Sequence, residues 1–211
     1  MKKTDLDIIY EDKNIIVVNK PSGLLTIATD KSNNTLYHNV SEYIKKNNYK
    51  NKIFIIHRLD KETSGVVMFA KCEKIKELYQ KNWDNLVIKR EYLALVDGIT
   101  NDSGTIKSYL KENKALKVYS SNDPSGKLAI THYKKLKEKG NKTLLEIKID
   151  TGRKNQIRVH MSDINHPIVG DKKYGGSNYK KLCLHASTLI IKNPITKKEM
   201  IFEAYIPNIL K

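Results

Sequence analysis

Two alternating runs, AITHYKKLKE and KTLLEIKID, meet at Gly140-Asn141, and this junction constrains the fold more than any other stretch. A glycine–asparagine pair between alternating segments predicts a tight antiparallel hairpin. The rest of the chain repeats the theme. IIYEDKNIIVVNKPSG (8–23) reads as two short strands around a turn at Asp12–Asn14. KIFII (52–56) reads as a buried strand, and GVVMFAK (65–71), REYLALVDG (90–98), KLCLHASTLII (181–191) and EMIFEAYI (199–206) as further strands. Helical spacing is confined to three places. Leu36, Val40, Tyr43 and Ile44 predict a helix within 35–49. Ile75, Leu78, Tyr79 and Trp83 predict one over 73–83, and Ile157, Met161 and Ile164 a short one over 155–164. Residues 99–127 read as polar and turn-rich. Strands in hairpins with few helices predict an α+β fold, with a mixed, mostly antiparallel central sheet and flanking helices. With no linker or repeat, 1–211 reads as a single domain with its core over about 6–208.

The chain has 211 residues and a formal net charge of +16. That excess attracts polyanions, nucleic acid foremost, although heavy use of Lys, Asn and Ile is also what an AT-rich genome produces. Cys72 and Cys183 are far apart and form neither a disulfide framework nor a zinc motif. The N-terminus has no apolar core of a signal peptide, and no apolar run approaches a membrane span. A soluble, cytoplasmic protein is expected.

Within HRLDKETSG (57–65), Asp60 follows an apolar run and precedes Thr63-Ser64-Gly65, small residues that permit close backbone approach to a ligand. An aspartate there can be a nucleophile, a general acid or base, a metal ligand or a turn cap. The arginines sharpen the choice. Of 39 basic residues only Arg58, Arg90, Arg153 and Arg158 are arginine, and three of them lie in HRLDKETSG and TGRKNQIRVH. Where lysine is the default cation, arginine marks a position needing a planar fork, a stack or a permanent charge. One guanidinium is therefore expected to pair with Asp60 and another to meet phosphate or base. Lys154 lies one helical turn before Arg158. His160, His166 and His185 fit no metal-ligand spacing, and no serine-hydrolase or nucleotide-loop signature is present. Tyr92, directly after Arg90-Glu91, is either a core tyrosine or a ring that stacks on a base.

HRLDKETSG resembles the central motif of the RluA family of pseudouridine synthases. Nearly the whole chain follows that family's order: VVNKPSGLLT (17–26), KREYLALVDG (89–98), TGRKNQIRVHMSDINHPIVGDKKYG (151–175) and LCLHASTL (182–189) are similar to its other motifs. The resemblance implies the pseudouridine synthase fold and isomerisation of uridine in RNA, ribosomal or transfer, without a cofactor or metal. No membrane association and no obligate protein partner are expected, and a monomer is the default expectation. No S4-like RNA-binding domain is expected, since the chain opens almost directly into the first motif. By the same resemblance Asp60 acts at the ribose, Tyr92 stacks on the uracil and helps remove its proton, and Arg158 pairs with the aspartate. Arg58 fills the gap left by the flipped base. Lys20, for which no chemical role is carried over from the first motif, and Thr63, Arg153 and Lys154 are further residues expected at the RNA. Asn155 departs from the family's GRxHQIR, in which histidine is usual, and so excludes proton transfer by that side chain near neutrality.

Two other readings remain. A non-catalytic RNA-binding module would have no need of Asp60, Tyr92 and Arg158 together. An N-glycosidase would need a second carboxylate across the sugar, for which only Glu62 is near in sequence.

Overall fold

The structure is a computed structural model that describes residues 6–28, 33–46 and 48–211. In chain order the first elements are β1 (Ile8–Glu11), β2 (Ile15–Lys20), α1 (Leu36–Lys45), β3 (Phe54–Ile55), β4 (Ser64–Ala70), α2 (Glu73–Lys81) and α3 (Trp83–Leu86). They are followed by β5 (Val87–Asp97), β6 (Ser103–Glu112), β7 (Val118–Ser121), β8 (Lys127–Glu138) and β9 (Lys142–Ile149). The chain ends with α4 (Gln156–Asp163), β10 (Leu184–Lys192) and β11 (Glu199–Glu203). It divides into two compact units, residues 1–89 with 186–205 and residues 90–185 with 206–211.

In the first unit, the Asp12 carboxylate accepts the backbone N–H of Asn14 (2.7 Å) and Ile15 (2.8 Å), which turns β1 into β2. β2 runs antiparallel to β4 in a register that sets Ile15 opposite Ala70 and Lys20 opposite Gly65. Thr35 caps α1 by accepting the His38 N–H, and the helix buries Leu36, Val40 and Ile44 at helical spacing. Ile75 and Tyr79 of α2 join Val17, Met68, Ile191 and Phe202 in the core. The strand expected over 52–56 contracts to β3, which meets only Phe69 and Ala70 of β4. Ile53 and Ile56 are buried without belonging to it. The apolar run reports burial, and burial does not require strand pairing.

In the second unit the strands lie in the order β5, β9, β8, β6, β7, every pair antiparallel. The predicted hairpin is β8–β9, with Gly140 at φ +60° and the Lys139 N–H donating to the Lys142 carbonyl. Its core gathers Ala94, Val96, Leu145, Ile147, Ile157, Met161 and Ile168. The segment 99–127, expected to be turn-rich, is largely the hairpin β6–β7. β6 alternates exposed and half-buried residues over Ser103–Ser108 and buries Leu110; its inward face shares Ile106 and Leu110 with Gly104 and Ser108, so the period of two lacks a continuous apolar face. A hydrogen-bonded chain ties this hairpin to α4. Thr131 Oγ1 meets His160 Nδ1 (2.8 Å), His160 Nε2 meets Ser108 Oγ (3.0 Å), Ser108 meets Ser120 (3.0 Å), and Ser120 donates to Asp163.

The α+β, mostly antiparallel reading therefore holds. Among the described residues no helix is long and apolar enough to cross a membrane.

Candidate active site

Asp60 is half-buried in the loop between β3 and β4, and the first sequence motif grips that loop through its backbone. Thr26 Oγ1 donates to the Leu59 carbonyl (2.8 Å), Gly23 N–H to the Lys61 carbonyl (3.0 Å), and Ser22 Oγ to the Glu62 carbonyl (2.7 Å). Lys20, on β2, is 0% exposed. Its ammonium donates to the carbonyls of Leu24 (2.7 Å), Lys61 (2.9 Å) and Pro21 (3.0 Å), one for each of its protons. Burial pushes its pKa down to about 8, against the opposing pull of Glu62 and Asp60. Within the turn, the Thr63 N–H donates to the Asp60 carbonyl (3.2 Å).

The loop leaves through Gly65 at φ +117°. A Cβ there would lie 2.1 Å from the Ala186 carbonyl oxygen, so only glycine lets β4 start so close to that backbone. Arg58 is exposed on the same loop, whereas Thr63 is buried. Two expectations change accordingly. Lys20 and Thr63 were expected at the RNA, and both side chains lie inside the protein. Lys20 organises the backbone that presents Asp60.

In the second unit, Tyr92 is half-buried on β5, opposite Ile147 of β9, with its side chain packed against the core. α4 supplies Arg158, which is buried. Its Nε donates to Asp171 Oδ2 and its Nη2 to Asp171 Oδ1, both at 2.7 Å, a bidentate fork. Asp171 Oδ1 also accepts the N–H groups of Lys173 (3.0 Å) and Tyr174 (3.1 Å). The guanidinium carbon lies 5.1 Å from the centroid of the Tyr174 ring. Nη1 of Arg158 donates to Asn155 Oδ1 (3.2 Å), and Asn155 Nδ2 to the Tyr174 hydroxyl (3.2 Å). That hydroxyl donates in turn to the Val118 carbonyl on β7 (3.2 Å). Arg158 is thus tied to the β6–β7 hairpin through two side chains.

Asn155 precedes α4 at φ +54°, in the left-handed region. Among non-glycine residues that region favours Asn, Asp and His, so asparagine meets the backbone requirement where the family has histidine. The loop before it is pinned by Gln156. Its Oε1 accepts from Thr151 Oγ1 (2.8 Å) and the Arg153 N–H (3.0 Å), while its Nε2 donates to the Ile130 carbonyl (2.9 Å) and Thr131 Oγ1 (3.0 Å). Arg153 and Lys154 are exposed on this loop.

The structure thus brings Lys20 and Thr63 to the Asp60 loop in one unit, and sets Arg153, Lys154 and Arg158 around the start of α4 in the other. Sequence reasoning passed over Asp171, Tyr174 and Gln156, although all three lie in the quoted third motif. The spacing GDxxY, three residues from Asp171 to Tyr174, is the signal that was available.

A family model described as RNA pseudouridylate synthase matches residues 14–163. The chain is 32% identical over 213 residues to YhcT of Bacillus subtilis (strain 168), which is named an uncharacterized RNA pseudouridine synthase; the match covers 98% of this chain and 70% of that one. It is 33% identical over 220 residues to the ribosomal large subunit pseudouridine synthase D of Haemophilus influenzae, covering 96% and 68%. The solved structure of human RNA Pseudouridylate Synthase Domain Containing 4 has the same fold, with a TM-score of 0.80 over 97% of this chain and 90% of that chain, at 24% identity.

Proposed function

The chain belongs to the RluA family of RNA pseudouridine synthases, which are isomerases, and from that premise we propose that its substrate is a uridine in large-subunit ribosomal RNA, isomerised through Asp60. The reaction breaks the bond between uracil N1 and ribose C1′, turns the base, and joins C5 to C1′. The C5 proton leaves and N1 gains one, so nothing is oxidised or transferred between molecules and the chemistry calls for no cofactor.

In this proposal Asp60 acts at the ribose as nucleophile or base. Tyr92 stacks on the uracil and helps take the C5 proton. Arg158 balances the charge of Asp60 while the glycosidic bond breaks. Arg58, exposed on the Asp60 loop, stacks in the vacancy left by the flipped base; a planar guanidinium does this better than an ammonium. Extruding the base costs a few kcal/mol of stacking and pairing, which that insertion offsets in part. Arg153 meets phosphate, and Lys154, held by Glu112, adds to the positive field along the RNA. The enzyme is taken to work in the cytoplasm as a monomer.

The observation that carries this reading is that Asp60, Tyr92 and Arg158 all lie within the matched segment 14–163, each inside its own motif. The choice of ribosomal RNA is supported by the name of the Haemophilus influenzae relative. The test is carbodiimide-adduct primer extension on unmodified large-subunit RNA and on a tRNA pool after incubation with the protein. A new stop confined to large-subunit RNA is expected. Stops confined to tRNA would move the target there.

A further inference from the structure

We propose that a groove in the second unit binds one unpaired nucleotide of the RNA outside the uridine being isomerised, stacking its base on Tyr119 and holding its phosphate with Lys127 and Arg153. This rests on the reading that the protein acts on RNA. The groove encloses about 540 Å³, within the ~300–1,000 Å³ typical of small-ligand clefts. Leu110 and Val118 of the β6–β7 hairpin, both buried, line it. Around them stand four cations, Lys111, Lys127, Arg153 and Lys154, against a single lining carboxylate, Glu112.

The cations divide into two kinds. Lys154 is paired with Glu112, and Lys111 with Asp123. Those carboxylates fix two ammonium groups at the wall. Lys127 has no acidic partner among the described residues, and Arg153 uses only its Nε, on the Leu128 carbonyl (3.0 Å). The outer face of the Arg153 fork and the Lys127 ammonium are the groups left for an anion. A phosphodiester suits both, since a fork takes two of its oxygens and an ammonium adds a point charge.

Tyr119, on β7, supplies the second half of the recognition. It is a large aromatic left 44% exposed beside a basic groove with an apolar lining. Unpaired RNA bases stack on such rings and are sequence-tolerant in doing so, while a paired base has its faces covered by its neighbours. An acidic peptide would meet the cations but would leave the ring without a planar partner. An unpaired nucleotide satisfies both. The groove is built from the β6–β7 hairpin and the loop before α4, so the polar segment 99–127 acquires a role in choosing the RNA.

The test uses the full-length protein, a fluorescein-labelled single-stranded RNA 12-mer, and the large-subunit transcript. Tyr119→Ala is expected to weaken 12-mer binding about ten-fold with little change in its salt dependence, and Tyr119→Phe to retain it. K127Q combined with R153Q is expected to lower the slope of log K against log salt by about 0.7 for each phosphate that is no longer neutralised. K74Q, on α2, serves as the charge control and should match wild type. The losses should fall on apparent affinity for the transcript, with saturating RNA recovering the single-turnover rate. Wild-type affinity and slope in both groove variants, with isomerisation intact in the wild type, would overturn the groove and leave the isomerase reading standing. A collapse of the saturating rate with affinity unchanged would also overturn it. Failure of the wild type to isomerise, with the binding losses as expected, would sustain the groove and contradict the reaction.

Discussion

Arg158 and Asp171 form a two-pronged ion pair, Nε to Oδ2 and Nη2 to Oδ1 at 2.7 Å each, with Asp171 all but sealed from solvent. Such a pair is not a generous source of stability, because both ions lose their hydration. Its value lies in geometry. The fork fixes the guanidinium plane, and the Tyr174 ring 5.1 Å away restricts it further. Removing the carboxylate takes the two-pronged partner from a buried cation, so Asp171→Asn should destabilise the protein by about 3 kcal/mol in urea denaturation. It should also slow single-turnover isomerisation more than it weakens RNA binding. An Asp171→Asn protein of wild-type stability and rate would remove Asp171 from this role.

The left-handed backbone at Asn155 makes a second prediction. Asn155→His should fold normally, because histidine tolerates φ +54°, whereas Asn155→Ala should lose about 1–2 kcal/mol. Asn155→Gly should recover most of the backbone part while still lacking the bonds to Arg158 and Tyr174. Urea midpoints of the three variants check the order; alanine at wild-type stability would contradict it.

Lys20 couples stability to alkaline pH. Its folded pKa, about 8, lies below the 10.5 of an unfolded lysine. Between those values the unfolded chain holds a proton that the folded one has lost, so this group makes stability rise with pH, by up to about 1.4 kcal/mol per unit. Below pH 8 both states are charged, and the full cost of the buried ammonium is present. The wild type should therefore gain on Lys20→Met as pH rises from 8 to 10. Parallel curves would show that the buried ammonium is not destabilised in this way.

His160 acts at the acid end. Burial lowers its pKa below the ordinary 6.5, with Asp163 pulling the other way. The neutral ring bridges Thr131 and Ser108. Its contribution to stability is complete above pH 6.5 and is lost as pH falls from there toward the folded pKa. Protection of β6 and α4 amides from hydrogen exchange should drop over that range in the wild type and stay flat in His160→Gln.

Much of this was legible in the residues. The Gly140-Asn141 turn gave β8–β9, and the helical spacing of Leu36, Val40 and Ile44 gave α1, because each pattern reports one buried face. The β6–β7 hairpin was not legible, since Gly104 and Ser108 interrupt Ile106 and Leu110 on the inward face of β6 and leave no continuous apolar alternation. KIFII misled in the opposite direction, since Ile53 and Ile56 are buried outside any strand and only Phe54–Ile55 pair as one. At the site, Lys20 was expected at the RNA from its place in the first motif, yet its three protons go to backbone carbonyls 1, 4 and 41 residues away in sequence. Only folding brings the last of these within reach. GDxxY marks Asp171 and Tyr174 as a pair, but nothing in the spacing ties that pair to Arg158, 13 residues back on a helix.

The role of Asp60 is tested most directly by tritium release from RNA labelled at uracil C5, with wild type and Asp60→Asn side by side on the same transcript. The substitution keeps the side chain's size and removes its charge and nucleophilicity. Stoichiometric release by the wild type and none by Asp60→Asn, with RNA affinity retained in both, is the predicted result. Equal release from the two proteins would contradict the assignment of Asp60 to the chemistry.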